Sequence, residues 1–252
     1  MTDLSFKTGN SDLAGFEPKD VARRLIANGY RPVPCAGKAV KISGWTETNF
    51  TEQDFAGRHN VGIKTGCGIA LIDIDVTDPD AVNVITAEWQ RRHPGTLQRT
   101  GKAPKTAFLV TSDLARKIDV KLPALGKDEK GNPQKVEVLA EGQQFIAYGI
   151  HPDTGDPYKW HGLDPLDTFL GTKDALPVVT EVEIRAFVQW VQDAYGEKES
   201  DRPLSERAAP VLIDTGNTGS AFWRNVNDAA LTDLDAWVPA LLPAAKKQAT
   251  GG

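Results

Sequence analysis

Apolar residues recur every three to four positions in three stretches of the chain, and each stretch predicts an amphipathic helix. Pro18 to Asn28 places Val21, Ala22, Leu25 and Ile26 on one face, with Pro18 suited to the first turn and Gly29 to the C-terminal cap. Asp80 to Arg92 aligns Ala81, Val84, Ile85 and Trp89 behind the capping segment Thr77-Asp78-Pro79. Glu181 to Tyr195 aligns Val182, Ile184, Phe187, Val188 and Val191. The other apolar runs are short and β-branched, and predict strands. Arg31–Cys35 and Lys41–Trp45 flank the Ala36-Gly37 turn, and Thr51 is the N-cap of a short helix. Asn60–Thr65 and Ile69–Val76 read as a hairpin about Gly66-Cys67-Gly68. Thr96–Arg99 and Thr106–Thr111 are two more strands, and Lys135–Leu139 with Gln144–Tyr148 reads as a second pair, turned at Glu141-Gly142. The mixture implies an α+β fold.

Composition adds domain organisation. Residues 1–17 are polar and aperiodic, as a flexible N-terminus is, and 18–195 carry the periodic elements. Residues 196–219 are rich in Glu, Ser, Asp, Pro and Gly, as linkers are, and 220–252 form a separate helical pattern suited to the start of a following domain. No apolar run approaches the roughly 18 residues of a membrane span, and no leader-like segment opens the chain, so a soluble, cytoplasmic protein without a membrane partner is expected. Cys35 and Cys67 are too few for a disulfide framework or a zinc cluster.

The net charge of −5 excludes a protein that coats nucleic acid indiscriminately, but the charge is uneven. Between Arg91 and Lys135 stand eleven Lys and Arg against four Asp and Glu. An acidic protein thus carries one basic surface beside its most distinctive motif, Leu71-Ile72-Asp73-Ile74-Asp75-Val76. The two-residue strand period sends Asp73 and Asp75 to one face and Ile72, Ile74 and Val76 to the other. Two such carboxylates repel and resist desolvation unless a cation neutralises them, and hard oxygen ligands suit Mg²⁺ or Mn²⁺. A solvated strand face gives the same pattern. Glu137, flanked by Val136 and Val138, has a similar setting, and three such acids on adjacent strands make a two-metal site possible.

Arg99-Thr100-Gly101-Lys102-Ala103-Pro104-Lys105 gathers Arg99, Lys102 and Lys105 at a strand entrance, a composition able to hold a triphosphate without the pattern of a P-loop. Downstream, the turn-rich ribbon from Ala147 to Trp160 holds His151, a second phosphate contact, with Tyr158 or Trp160 available to stack on a base. His59, His93 and His161 lack metal-ligand spacing.

Taken in order, the hhDhD strand, the basic entrance and a strand carboxylate followed by GQQFIAYGIHPDTG resemble the archaeo-eukaryotic primase superfamily. More narrowly, they resemble the N-terminal catalytic domain of the bifunctional primase-polymerases of phages, prophages and plasmids, over roughly Pro18 to Tyr195. The resemblance implies an RRM-like antiparallel sheet with a smaller α/β lobe, Asp73, Asp75 and Glu137 as catalytic metal ligands, and Mg²⁺ or Mn²⁺ as cofactor. It implies nucleoside triphosphates and single-stranded or primed DNA template as substrates, template-directed nucleotidyl transfer in replication of a mobile element, and a helicase domain or subunit as partner. Lys105 stands where many relatives have a phosphate-contacting histidine, and His151 is the alternative for that role. A glycosyltransferase with a DxD motif and a metal-dependent nuclease are enzyme rivals. The non-enzyme rival is an RRM-like single-stranded nucleic-acid-binding module of a helicase, which would use Phe108, Phe145 and Tyr148 on its sheet and has no use for the three acids.

Overall fold

The computed structural model describes residues 17–57 and 60–196; the expectations for residues 1–16 and 197–252, the linker and the following helical segment among them, lie outside this range. The fold is α+β. Its elements are α1 (Pro18–Ala27), β1 (Pro32–Cys35), β2 (Asn60–Lys64), β3 (Ile69–Asp75), α2 (Pro79–Arg92), β4 (Leu97–Thr100), β5 (Thr106–Thr111), β6 (Ile118–Lys121), β7 (Lys135–Leu139), β8 (Gln144–Tyr148), β9 (Lys159–His161) and α3 (Glu181–Tyr195).

Two antiparallel sheets divide the strands: a larger one in the order β6-β7-β3-β5-β4-β9 and a smaller one in the order β1-β2-β8. Within the larger sheet, β7-β3-β5-β4 has the strand order of an RRM. Alternation along β3 decides how the layers stack. Ala70, Ile72, Ile74 and Val76 join Phe108, Val110, Val136 and Val138 in a core closed by α2 and α3. Trp89, Ile85, Phe187 and Val191 are wholly buried there, each contributing about 1.5–3 kcal/mol relative to an exposed side chain. On the other face, Ile69, Leu71, Ala107 and Leu109 join Ile63, Phe145 and Ala147 of the smaller sheet and Val21 and Leu25 of α1 in a second core. That second core covers one end of β3 and leaves Asp73 and Asp75 beyond it.

The helix periods hold, with shifts at their edges. Val82 rather than Val84 faces the core from α2, and Ile26, Val84 and Val182 are exposed. Capping follows the expected chemistry: the Asp78 side chain accepts a hydrogen bond from the Ala81 amide, and Thr51–Asp54 and Thr180–Glu183 form reciprocal capping boxes. Residues 41–45 are turn rather than strand, and their expected pairing is replaced by a single Ala36–Ala39 bridge.

The larger correction concerns the two expected hairpins. β2 and β3 belong to different sheets, as do β7 and β8, so both tight turns are corners where the chain changes layer. A short apolar run with a glycine turn looks the same in either case, because both arrangements bury it on two sides. The corners lie against each other: the Thr65 amide and hydroxyl donate to Gln143 and Ala140 carbonyls at 3.0 and 2.5 Å. Gly66, with φ +87°, approaches so closely that a Cβ would stand 2.7 Å from the Glu141 Cα. Gly66→Ala is therefore expected to cost about 1–3 kcal/mol of unfolding free energy in urea titration; a change below about 0.5 kcal/mol would show that the two corners are not rigidly apposed.

Candidate active site

Burial of the even-numbered residues of β3 forces the odd-numbered ones to the opposite face, and antiparallel register aligns their neighbours. Asp119, Glu137, Asp73, Ala107, Arg99 and Trp160 form one continuous row across β6, β7, β3, β5, β4 and β9. One pleat further on, Lys121, Lys135 and Asp75 form a second row. Lys105, just before β5, closes that row onto Asp75 at 2.5 Å. Acids and cations are therefore interleaved on this face; Asp73, Asp75, Asp119, Arg99, Lys105, Lys121 and Lys135 line a cavity of about 650 Å³, and Glu137 lies between Asp73 and Asp119 in register.

The acids are neutralised unequally. Glu137 pairs with the ammonium groups of Lys117 and of Lys135, the latter at 2.8 Å. Burial alone would raise its carboxyl, but these two hydrogen bonds outweigh burial and hold it below the usual range. Asp73 has no lysine against it. Burial pushes its carboxyl from 3.8 up to about 6, Arg99 opposes that shift, and the neighbouring charges of Asp75 and Glu137 reinforce it. Among the described residues no three His, Cys, Asp or Glu side chains are gathered into a ready metal cage. Lysine ammonium groups stand against Asp75 and Glu137 instead. The donor set nonetheless fits a divalent cation: carboxylate oxygens on one face, under-neutralised at Asp73 and held elsewhere by exchangeable lysines.

Arg99 forms the far end of the acid row. Its guanidinium lies 5.3 Å from the Phe145 ring centre and 4.8 Å from that of Tyr158, donates to the Ile146 carbonyl, and leaves a buried Nε without a partner. Burial lowers its pKa, and the adjacent Asp73 charge supports its cationic form. Lys102, Lys105 and His151 also line the cavity. His151 is 4% exposed and accepts a hydrogen bond from the Asp153 amide on Nδ1; burial, then the positive charge of Lys38, lowers its pKa and so favours the neutral imidazole. Gly101 permits this arrangement, since a Cβ there would stand 2.5 Å from the Tyr158 ring.

The aromatic expectations are corrected. Trp160 is buried and donates from Nε1 to the Ala147 carbonyl, and Tyr158 packs on Arg99, so neither presents a free face to a base. Phe108, Phe145 and Tyr148 are likewise buried in the two cores, which removes the stacking platform that a single-strand-binding RRM requires. The face carries acids instead. Missing from the sequence reading is β6, whose Lys117-Ile118-Asp119-Val120-Lys121 alternates with strand period and adds Asp119 to the row. That alternation is the available signal, within the segment whose excess of Lys and Arg reads as a basic surface.

A family model for the N-terminal domain of bifunctional DNA primase/polymerase, Prim-Pol, matches residues 22–169, more than half of the chain. The chain belongs to this family. The family's role is DNA primase/polymerase nucleotidyl transfer, with DNA template and nucleotides as substrates and divalent metals in general use. All seven site residues of this Prim-Pol chain named from sequence lie within the match, whereas α3 lies beyond it. No curated protein matches the chain. Among the described residues no helix is long and apolar enough to cross a membrane.

A carboxyl raised in the fold binds its proton more tightly there than in the unfolded chain. The stability from Asp73 is therefore full below about pH 4 and lost as pH rises through about 6. With chelator present, Asp73→Asn is expected to unfold at higher urea than wild type at pH 7.5, by on the order of 1–3 kcal/mol, with the advantage closing toward pH 4. An advantage independent of pH would contradict the assignment of the raised carboxyl to Asp73.

Proposed function

We propose that the cavity performs template-directed nucleotidyl transfer, priming or extending DNA in replication of a mobile element, with Asp73, Asp75 and Glu137 as its catalytic carboxylates. The observation that carries this reading is the direct cross-strand opposition of Asp73 and Glu137, with Asp75 one pleat away, on a face shared with the cationic entrance. Residues 18–195 are the catalytic unit in this reading, and a helicase domain or subunit is the proposed partner.

In the reaction, a primer or initiating-nucleotide 3′-hydroxyl oxygen bonds to the α-phosphorus of the incoming triphosphate and gives up its proton to solvent, and the bond to the bridging oxygen of the leaving pyrophosphate breaks. Bound Mg²⁺ or Mn²⁺ supplies Lewis acidity toward the hydroxyl and the developing phosphorane charge. The three carboxylates would hold that cation by their oxygens. Lys105 and Lys102 hold the triphosphate as point charges, and neutral His151 donates to a phosphate oxygen from Nε2 while Nδ1 is engaged by the Asp153 amide. Arg99, fixed between two rings, is the third proposed phosphate-binding cation, and its charge also favours the ionised form of Asp73. A nuclease or a glycosyltransferase would not require so cationic an entrance beside all three acids.

The test is primer extension on a primed single-stranded template with each nucleotide set and either metal. Asp73→Asn and Glu137→Gln are expected to reduce the single-turnover rate by about 100-fold or more. Retained wild-type rates would overturn the carboxylate assignment. Lys105→Ala is expected to raise the nucleotide KM by about 10- to 100-fold, the loss of one charge-assisted phosphate contact. An unmoved nucleotide KM with weakened template binding would reassign that loop to the template.

A further inference from the structure

Lys117 and Lys135 are placed unlike each other, although both reach Glu137. Lys135 lies within β7, flanked by Asp75 and Lys121 in register. Lys117 precedes β6, the outermost strand of the sheet, and its side chain is 37% exposed while that of Glu137 is 12% exposed. Asp119, directly opposite Glu137, stands 3.8 Å from both lysines. Lys117 therefore bridges two acids of the cross-strand row, Glu137, which is sheltered, and Asp119, which is exposed and lines the cavity. In the same segment Arg116, Lys121 and Lys127 are also exposed, interspersed with the exposed acids Asp113, Asp119 and Glu129, and Lys121 lines the cavity.

Resting on the nucleotidyl-transfer reading, we propose that Lys117 is a displaceable counter-ion that couples metal binding to nucleic-acid binding: it neutralises Glu137 in the metal-free protein, and a divalent cation releases it to the β6 edge, where it contacts a nucleic-acid backbone phosphate. The physical basis is competition for one carboxylate. A monovalent ammonium on a partly exposed stem gains little from its pair, and a divalent cation at the same oxygens replaces it. Once displaced, the ammonium has Asp119 beside it and open solvent beyond, on the side where the other exposed cations attract a polyanion. Linkage makes the effect reciprocal: bound nucleic acid, by holding Lys117 away from Glu137, strengthens metal binding by the same factor. Metal would then bind more tightly to the template-loaded protein than to the free one.

The test uses the full chain, Mn²⁺ alone as the metal probe, and a fluorescent single-stranded oligonucleotide. Free Mn²⁺ is counted by electron paramagnetic resonance during titration of wild type, Lys117→Ala and Lys117→Arg without nucleotide. Lys117→Ala is expected to bind Mn²⁺ about fivefold or more tightly than wild type, with Lys117→Arg close to wild type. Anisotropy titrations then give the gain in oligonucleotide affinity produced by a fixed Mn²⁺ concentration. That gain is expected to shrink about fivefold in Lys117→Ala and to be retained in Lys117→Arg; comparison at equal Mn²⁺ cancels ion binding to the oligonucleotide itself. An unmoved or weakened Mn²⁺ affinity in Lys117→Ala, or an equal gain in both proteins, would overturn the exchange. If wild type takes up no Mn²⁺ at all, the metal-dependent reading of the whole site falls with it, which separates the two failures.

Discussion

Everything functional in this molecule depends on β3 being held between β5 and β7 with one of its faces sealed. Sealing Ala70, Ile72, Ile74 and Val76 under α2 and α3 leaves Leu71, Asp73 and Asp75 no choice of side. A slip of one residue would bury both aspartates in the larger core and expose two isoleucines, a loss no local adjustment could offset. The same constraint runs through β7, where Val136 and Val138 are inward and Glu137 is not. Hydrophobic burial thus acts as the positioning device for the acids, and the backbone ladder sets which acid faces which.

Charge then organises what burial has exposed. Asp75 and Glu137 find ammonium groups from Lys105, Lys117 and Lys135, which lie within or just before β5, β6 and β7. Asp73 is the exception: burial, reinforced by the charges of Asp75 and Glu137, raises its carboxyl more than Arg99 and Lys105 lower it. Fixed, partly desolvated charge of this kind suits a reaction that moves negative charge between phosphate oxygens, because the site need not reorganise as the reaction proceeds. The membership of the Prim-Pol family, over residues 22–169, and the register that sets Asp73 opposite Glu137 point the same way.

Much of this was legible along the chain because it follows from short-range periodicity. The three helices and the two faces of β3 came from the spacing of apolar residues, and the pairing of Asp73 with Asp75 on one side needed only the strand period. What could not be read was which strand lies beside which. Gly66 and Glu141-Gly142 signal tight turns whether the chain returns in the same sheet or passes to another, and only the contact between the two corners decides it. β6 escaped for a related reason: a four-residue edge strand flanked by lysines has the composition of a loop, and its alternation gains meaning only beside Glu137. The aromatics misled because Trp160 satisfies a buried carbonyl at the other end of its own ribbon and Tyr158 covers the buried Arg99 guanidinium, contacts that appear only once the ribbon folds over β4.

The central claim is that the floor of the cavity is a divalent-metal site on which a triphosphate is held. Anomalous diffraction at the manganese edge, from crystals grown with Mn²⁺ and a non-hydrolysable nucleoside triphosphate, addresses it most directly. The account predicts manganese peaks against the Asp73 carboxylate and at least one of Asp75 and Glu137, with the phosphates on the Lys102 and Lys105 side. Clear density for the nucleotide with manganese absent from the acid row, or bound only elsewhere, would contradict it.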